Sequence, residues 1–232
     1  MPKSLILDDP QIESASGSLP NLQSIDKLPP PRPSRRAIVI GASTGGPQAV
    51  PIVLKGLMPA IQQIPVFIAL HIPPQFAATI AEHIERATAL PTHTARHGEE
   101  VRNGHIYISP GNLHLAVARL GESALIVLSD APPKNFYKPS VDVLFRTAAH
   151  AYGAEVIGII LTGMGSDGLL GSRAIVEAGG VVVVQDAASS AVWGMPRSVA
   201  QEGLAHAVLS LDLIGPTICR LLRPGALREK QS

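Results

Sequence analysis

A single cysteine, Cys219, occurs in 232 residues, so no disulfide can close within the chain, and a reducing compartment suits it. Charge of one sign is equally scarce. The 19 Lys and Arg against 18 Asp and Glu leave a formal net charge of +1, which excludes the basic field that nucleic-acid binding requires. Long hydrophobic runs are missing as well: Val156 to Leu161 and Val181 to Val184 fall far short of the roughly 20 residues that cross a bilayer. The apolar run after Met1-Pro2-Lys3-Ser4 is too short for a signal peptide, so a cytoplasmic protein without membrane insertion is expected.

What is present is core material. Hydrophobic residues make up 46% of the chain, enough for one packed α/β domain of ordinary size. Residues 1–35 stand apart. They are rich in Ser and Pro and culminate in Pro29-Pro30-Pro31-Arg32-Pro33, a composition that buries too little apolar surface to order alone. The expected organisation is a flexible leader over 1–35, a folded domain over 36–224 and a disordered tail over 225–232. Within the leader, Leu5-Ile6-Leu7-Asp8-Asp9 looks like the opening of a receiver domain, but too few residues follow to build one. Asp8 and Asp9 therefore read as a solvated acidic pair.

From Arg36 on, apolar runs alternate with helical segments. Arg36 to Ile40, Val66 to Leu70, Val156 to Leu161 and Val181 to Gln185 read as strands, and Pro47 to Gly56, Pro74 to Thr88, Val141 to Ala151 and Leu169 to Ala178 as helices. The strands are continuous in Val, Ile and Leu, which fits a sheet covered on both faces. His105 to Ser109, Leu113 to Ala118 and Leu125 to Leu128 are separated by Pro110-Gly111-Asn112 and Leu120-Gly121-Glu122, and suggest a small antiparallel hairpin insert.

Ile38 to Pro47 reads "IVIGASTGGP", a strand entering a glycine turn and then a helix, where backbone N–H groups and a helix dipole converge. A phosphate-binding loop would need Lys and Ser or Thr after its second glycine, and Pro47 and Gln48 stand there instead. A dinucleotide fingerprint would need Gly at position 43, which is Ser, and an acidic residue closing the second strand, which ends Ala69-Leu70-His71. Gly41-Ala42-Ser43-Thr44-Gly45 does match G-x-S-x-G, whose glycines tolerate a strained turn around a nucleophilic serine. Ser43 could equally be a helix cap. A nucleophilic Ser needs a base, and His71 at the end of the neighbouring strand can supply it, because the carboxyl ends of parallel strands meet at one crevice. Leu161 to Gly168, "LTGMGSDG", places Asp167 at the same edge, where a carboxylate could orient the imidazole or simply cap a helix.

Metal readings are weaker. His93 and His97 have helical ligand spacing, but Pro91, Thr92, Thr94 and Gly98 oppose a helix and suggest a solvated loop. His97, His105 and His114 would meet only across the hairpin insert, with no carboxylate pattern beside them, so no metal is assigned. Trp193 reads as a packing residue that walls the crevice.

With these residues assembled, the sequence resembles the catalytic domain of the chemotaxis protein-glutamate methylesterases, the CheB family. The resemblance rests on "IGASTGGP" at 40–47, "HIPPQF" at 71–76, "YISPGNLHL" at 107–115, "PSVDVLF" at 139–145, "LTGMGSDG" at 161–168 and "GMPR" at 194–197, in order over about residues 36–222. It implies a doubly wound, mostly parallel α/β fold with helices on both faces. It implies hydrolysis of γ-glutamyl methyl esters on the cytoplasmic helices of chemoreceptors with release of methanol, deamidation of particular receptor glutamines, no cofactor, and a monomer. By the same resemblance Ser43 is the nucleophile, His71 its base and Asp167 the orienting acid, with the amides of Thr44 and of the Met164 loop as oxyanion donors. Gln75 and Ser166 stand where relatives commonly have Gly and Asn, and a receiver domain, through which phosphorylation relieves inhibition in relatives, is not expected here. The competing reading from another class is a catalytically silent module that docks on receptors or a signalling kinase.

Overall fold

The computed structural model describes Leu28, residues 36–134 and residues 136–222; the tail and the rest of the leader lie outside the described residues. Strands β1 (Ala37–Ala42), β2 (Val66–Leu70), β7 (Val156–Ile160) and β8 (Val181–Gln185) are buried at every position, as their unbroken apolar runs require. With β3 (Thr92–Thr94), β4 (Ile106–Ile108) and β9 (Ala207–Leu209) they form a seven-stranded sheet in the order β3-β4-β2-β1-β7-β8-β9. Every pairing in it is parallel.

Alternate side chains of β1 enter two separate cores. Ile38 and Ile40 pack with Val53 of α1 (Gly46–Gly56), Ile84 of α2 (Pro74–Thr88) and Ile214 of α6 (Leu211–Leu222). Ala37 and Val39 face the other way, toward Phe145 of α3 (Val141–Tyr152), Ile175 of α4 (Leu169–Glu177) and Val199 of α5 (Met195–Gln201). Helices thus cover both faces, the doubly wound arrangement expected from sequence. β5 (His114–Leu120) and β6 (Ser123–Ser129) form the antiparallel hairpin, with Leu115, Val117 and Ile126 in the α3 core.

Two local expectations fail. His105 to Ser109 is not part of the hairpin: its centre is β4, hydrogen-bonded in parallel between β2 and β3. The turn after it misled the reading, whereas the fully buried Ile-Tyr-Ile was the better signal for a central strand. The segment around His93 is likewise a strand rather than a solvated loop, because Thr92–Thr94 pairs with Ile106–Ile108 and closes the sheet edge. Three residues are too few for periodicity to declare a strand.

The chain leaves β1 for β2 on one side and returns as β7 on the other. The order of winding reverses between β1 and β7, and at such a point loops part at the carboxyl ends of the strands and leave a crevice.

Candidate active site

Three predicted residues meet at this crevice. Ser43 follows β1 directly, and its N–H donates to the carbonyl of Thr162 beyond β7 at 3.0 Å. His71 follows β2 and is held by its own N–H to the carbonyl of Ala42 at 3.1 Å, which extends the Ala42–Leu70 register by one step. Asp167, in the loop before α4, is fully buried and shares a 2.8 Å hydrogen bond from Oδ2 to Nε2 of His71. The other ring nitrogen, Nδ1, is buried without a hydrogen-bond partner among the described residues. No hydrogen bond between Ser43 and His71 is therefore formed, while the nitrogen left for it is the one that Asp167 does not occupy.

Neither Ser43 nor Asp167 caps the helix that follows it. The N-cap of α1 is Gly45 in the left-handed region, φ 82°, with no side-chain cap, and Pro47 lies in the first turn as expected. Gly45 also relieves the strain that the G-x-S-x-G motif suggested for the serine: among non-glycine described residues only Ala89 and Phe136 have positive φ. Asp167 caps a helix other than its own. The N-cap of α4 is Gly168, whereas Asp167 accepts from the N–H groups of Val141 at 2.7 Å and Asp142 at 3.0 Å, in the first turn of α3. Ser140 Oγ donates to it at 2.9 Å.

The electrostatics follow from these contacts. Burial pushes the Asp167 carboxyl up, but hydrogen bonds from His71, Asp142 and Val141 more than offset it and hold the group below the ordinary carboxylate range. Asp142 is shifted the other way: burial dominates and the neighbouring Asp167 adds to it, against hydrogen bonds from Gly171 and Gly168. An ionised Asp167 beside His71 is suited to orient and stabilise an imidazolium.

The loop after β7 passes very close to the serine. A Cβ on Gly163 would lie 2.8 Å from Ser43 Cβ and would also strike Met195 Sδ, so glycine is what permits the approach. Met164 projects from this loop with 69% of its surface exposed, and Thr44 is exposed beside it. Thr162 Oγ1 donates to the Thr44 carbonyl at 2.9 Å and accepts from the Val192 N–H at 3.0 Å, tying the serine turn to the segment before Trp193. Trp193 is partly buried, with Nε1 on the Gln185 carbonyl at 2.9 Å, as a packing residue should be.

Sequence reasoning missed three contributors. Tyr137 stacks on His71 with ring centroids 4.2 Å apart and 8° between planes. Ser140, quoted only as part of a motif, reaches Asp167. His114 supports Ser140, accepting its N–H at Nδ1 at 3.1 Å while Nε2 donates to the Pro132 carbonyl at 3.2 Å. Pro139-Ser140 before a helix was a visible signal for Ser140; nothing local marked Tyr137. The histidines weighed as metal ligands are not assembled. His93 pairs with Glu99 at 2.7 Å, His97 Nδ1 accepts from Leu128 N–H, and no group of three metal-ligating residues exists among the described residues.

The sequence profile of the CheB methylesterase family matches residues 38–218, more than half of the chain and all of the residues above. This chain belongs to that family. It is 47% identical over 186 residues to a protein-glutamate methylesterase/protein-glutamine glutaminase of group 2 operon from Rhodopseudomonas palustris. It is 49% identical over the same length to a protein-glutamate methylesterase/protein-glutamine glutaminase from Nitrobacter hamburgensis. Each match takes in 80% of this chain but 48% and 49% of the relative, so the chain spans about half the length of these CheB relatives. Among solved structures, the Thermotoga maritima CheB methylesterase catalytic domain superposes with a TM-score of 0.77 at 34% identity, covering 80% of this chain and 98% of that one. The CheB fold is thus the doubly wound sheet described above.

Proposed function

We propose that this chain is a serine hydrolase that removes methyl groups from γ-glutamyl methyl esters on the cytoplasmic helices of chemoreceptors, and that the same chemistry deamidates receptor glutamines. The observation that carries this reading is the 2.8 Å pair between His71 Nε2 and a buried, ionised Asp167, which leaves the other imidazole nitrogen, Nδ1, without a partner among the described residues. CheB membership supplies the class of substrate; the residues supply the steps. Ser43 Oγ attacks the ester carbonyl as its proton passes to His71 Nδ1, and Asp167, bonded to Nε2, stabilises the imidazolium. The tetrahedral intermediate puts its negative charge beside the N–H groups of Thr44 and the Met164 loop, and each such donor contributes about 3 kcal/mol in known oxyanion holes. Imidazolium then protonates the departing methoxide, or the departing amide nitrogen of a glutamine side chain, which leaves as ammonia, and water attacks the acyl-enzyme with His71 again as base.

Retention of a complete Ser, His and Asp set at one edge disfavours the silent docking module, which would need none of them. Membranes carrying tritium-methylated receptors should release methanol when mixed with the protein and not when mixed with Ser43→Ala. Full turnover by that variant would end the proposal.

A further inference from the structure

We infer that Tyr137 is a positioning residue for His71, acting through its ring rather than its hydroxyl. The inference rests on the hydrolase reading above. An imidazole bonded at one nitrogen can still swing about that bond, and the hydrogen bond to Asp167 alone leaves the second nitrogen free to turn from Ser43. A flat ring lying at 4.2 Å and 8° removes that freedom, since rotation of the imidazole out of plane would collide with it. The stack also takes one face of the imidazole away from water, and it offers a π-face to the cation formed during proton transfer.

Tyr137 is itself fixed from several sides. Its backbone exchanges two hydrogen bonds with Lys134, at 2.9 and 3.1 Å, closing a tight turn. Within that turn Phe136 has φ 71°, a left-handed conformation that a bulky residue adopts only where the surroundings impose it. Phe136 is itself 99% exposed, and it directly precedes the tyrosine whose ring lies on His71. The Tyr137 hydroxyl donates to the Met164 carbonyl at 3.3 Å, and three residues on, Ser140 bonds the same carboxylate that holds His71. Imidazole, tyrosine ring and carboxylate thus form one braced unit, in which Asp167 sets the bonded nitrogen and Tyr137 sets the plane.

The test needs no identified receptor. A fluorophosphonate probe reacts when Ser43 Oγ bonds phosphorus and fluoride leaves, the serine proton passing to His71, so its maximal labelling rate reports the nucleophile and its half-saturating concentration reports binding. Tyr137→Phe, which keeps the stack, should label within about three-fold of the wild type. Tyr137→Leu and Tyr137→Ala should lose between 10- and 100-fold in maximal rate, the range expected for a reacting group displaced by up to an ångström, with half-saturation little changed. In parallel, nitrogen-15 spectra of the imidazole should show one sharp form protonated at Nε2 in wild type and Tyr137→Phe, and the same form broadened by ring motion in Tyr137→Ala. Equal loss in Tyr137→Phe would assign the effect to the hydroxyl, and a change confined to half-saturation would make Tyr137 a binding surface; either overturns the inference. A wild-type protein that is not labelled at Ser43 would defeat the hydrolase reading instead, while the imidazole spectra would still decide whether the ring positions His71.

Discussion

Asp167 carries four hydrogen bonds on two oxygens: His71 and the Val141 N–H on Oδ2, and Ser140 and the Asp142 N–H on Oδ1. An amide cannot accept on both sides, so in Asp167→Asn one pair of buried donors faces an NH₂ group. Asn caps helices about as well as Asp, so a mere cap would tolerate the change. Here two losses are expected together: about 1–3 kcal/mol of stability from the unsatisfied donors, and a fall in single-turnover rate of up to the order of 10⁴ from the wrong imidazole tautomer. Chemical denaturation and receptor demethylation on the one variant measure both. Ser43→Ala should separate them, since the serine caps no helix: esterase activity disappears while the melting transition stays within about 0.5 kcal/mol of wild type. Acid dependence follows from the same carboxylate. Because the folded Asp167 titrates below its unfolded value of about 3.9, its ionisation contributes stability that is complete above that pH and lost as pH falls through the depressed folded value. Guanidinium midpoints between pH 6 and pH 3 should therefore decline less in Asp167→Ala than in wild type, and equal slopes would contradict the assignment.

Helices α3 and α4 cap one another. Asp167, just before α4, holds the first turn of α3, and Asp142, in the first turn of α3, accepts from the N–H groups of Gly168 and Gly171 at 3.0 and 2.7 Å. The exchange sets the angle between the two helix starts and thereby places the carboxylate that faces His71. Its partner on the sheet side is the loop after β7, whose closeness to the serine depends on Gly163. In Gly163→Ala the new methyl would press on Ser43 Cβ from 2.8 Å, and neither the strand end nor the Thr162 carbonyl that holds Ser43 can retreat freely. A stability loss of about 1–3 kcal/mol is expected, together with slower fluorophosphonate labelling of Ser43. Labelling at the wild-type rate would mean that the loop gives way without disturbing the serine.

Across the whole molecule, two apolar cores on opposite faces of one parallel sheet hold the strand ends in register, and the crevice lies where the winding reverses between β1 and β7. No helix among the described residues is long and apolar enough to cross a membrane. Leu28 packs against the core that contains α1, α2 and α6, although the leader was expected to contribute nothing to folding. Removing residues 1–27 should leave the unfolding midpoint unchanged. Removing residues 1–35 should lower stability by about 1 kcal/mol, the scale of one partly buried leucine, and calorimetry on the two truncations distinguishes the outcomes.

Some of this protein was determined by the sequence alone. Runs such as Val66 to Leu70 and Val181 to Gln185, apolar at every position, can be satisfied only by a sheet covered on both faces, so the fold class was legible from local composition. The placement of Ser43, His71 and Asp167 at one edge of the sheet was legible too, because each follows a strand and strand ends converge in a parallel sheet. Tertiary structure decided the rest. That β4 inserts between β2 and β3 depends on hydrogen bonds to strands 14 and 40 positions away, as Ile106 pairs with both Thr92 and Val66. A three-residue strand carries no period from which to read that. That Asp167 caps α3 rather than the helix it precedes, that its carboxylate meets Nε2 and leaves Nδ1 without a partner among the described residues, and that Tyr137 lies flat on the imidazole are all choices among partners distant in the chain. Local propensity ranks what a residue can do with its neighbours in sequence; which buried donor, carboxylate or ring it meets is settled only when the two cores close and every polar group inside must find a partner.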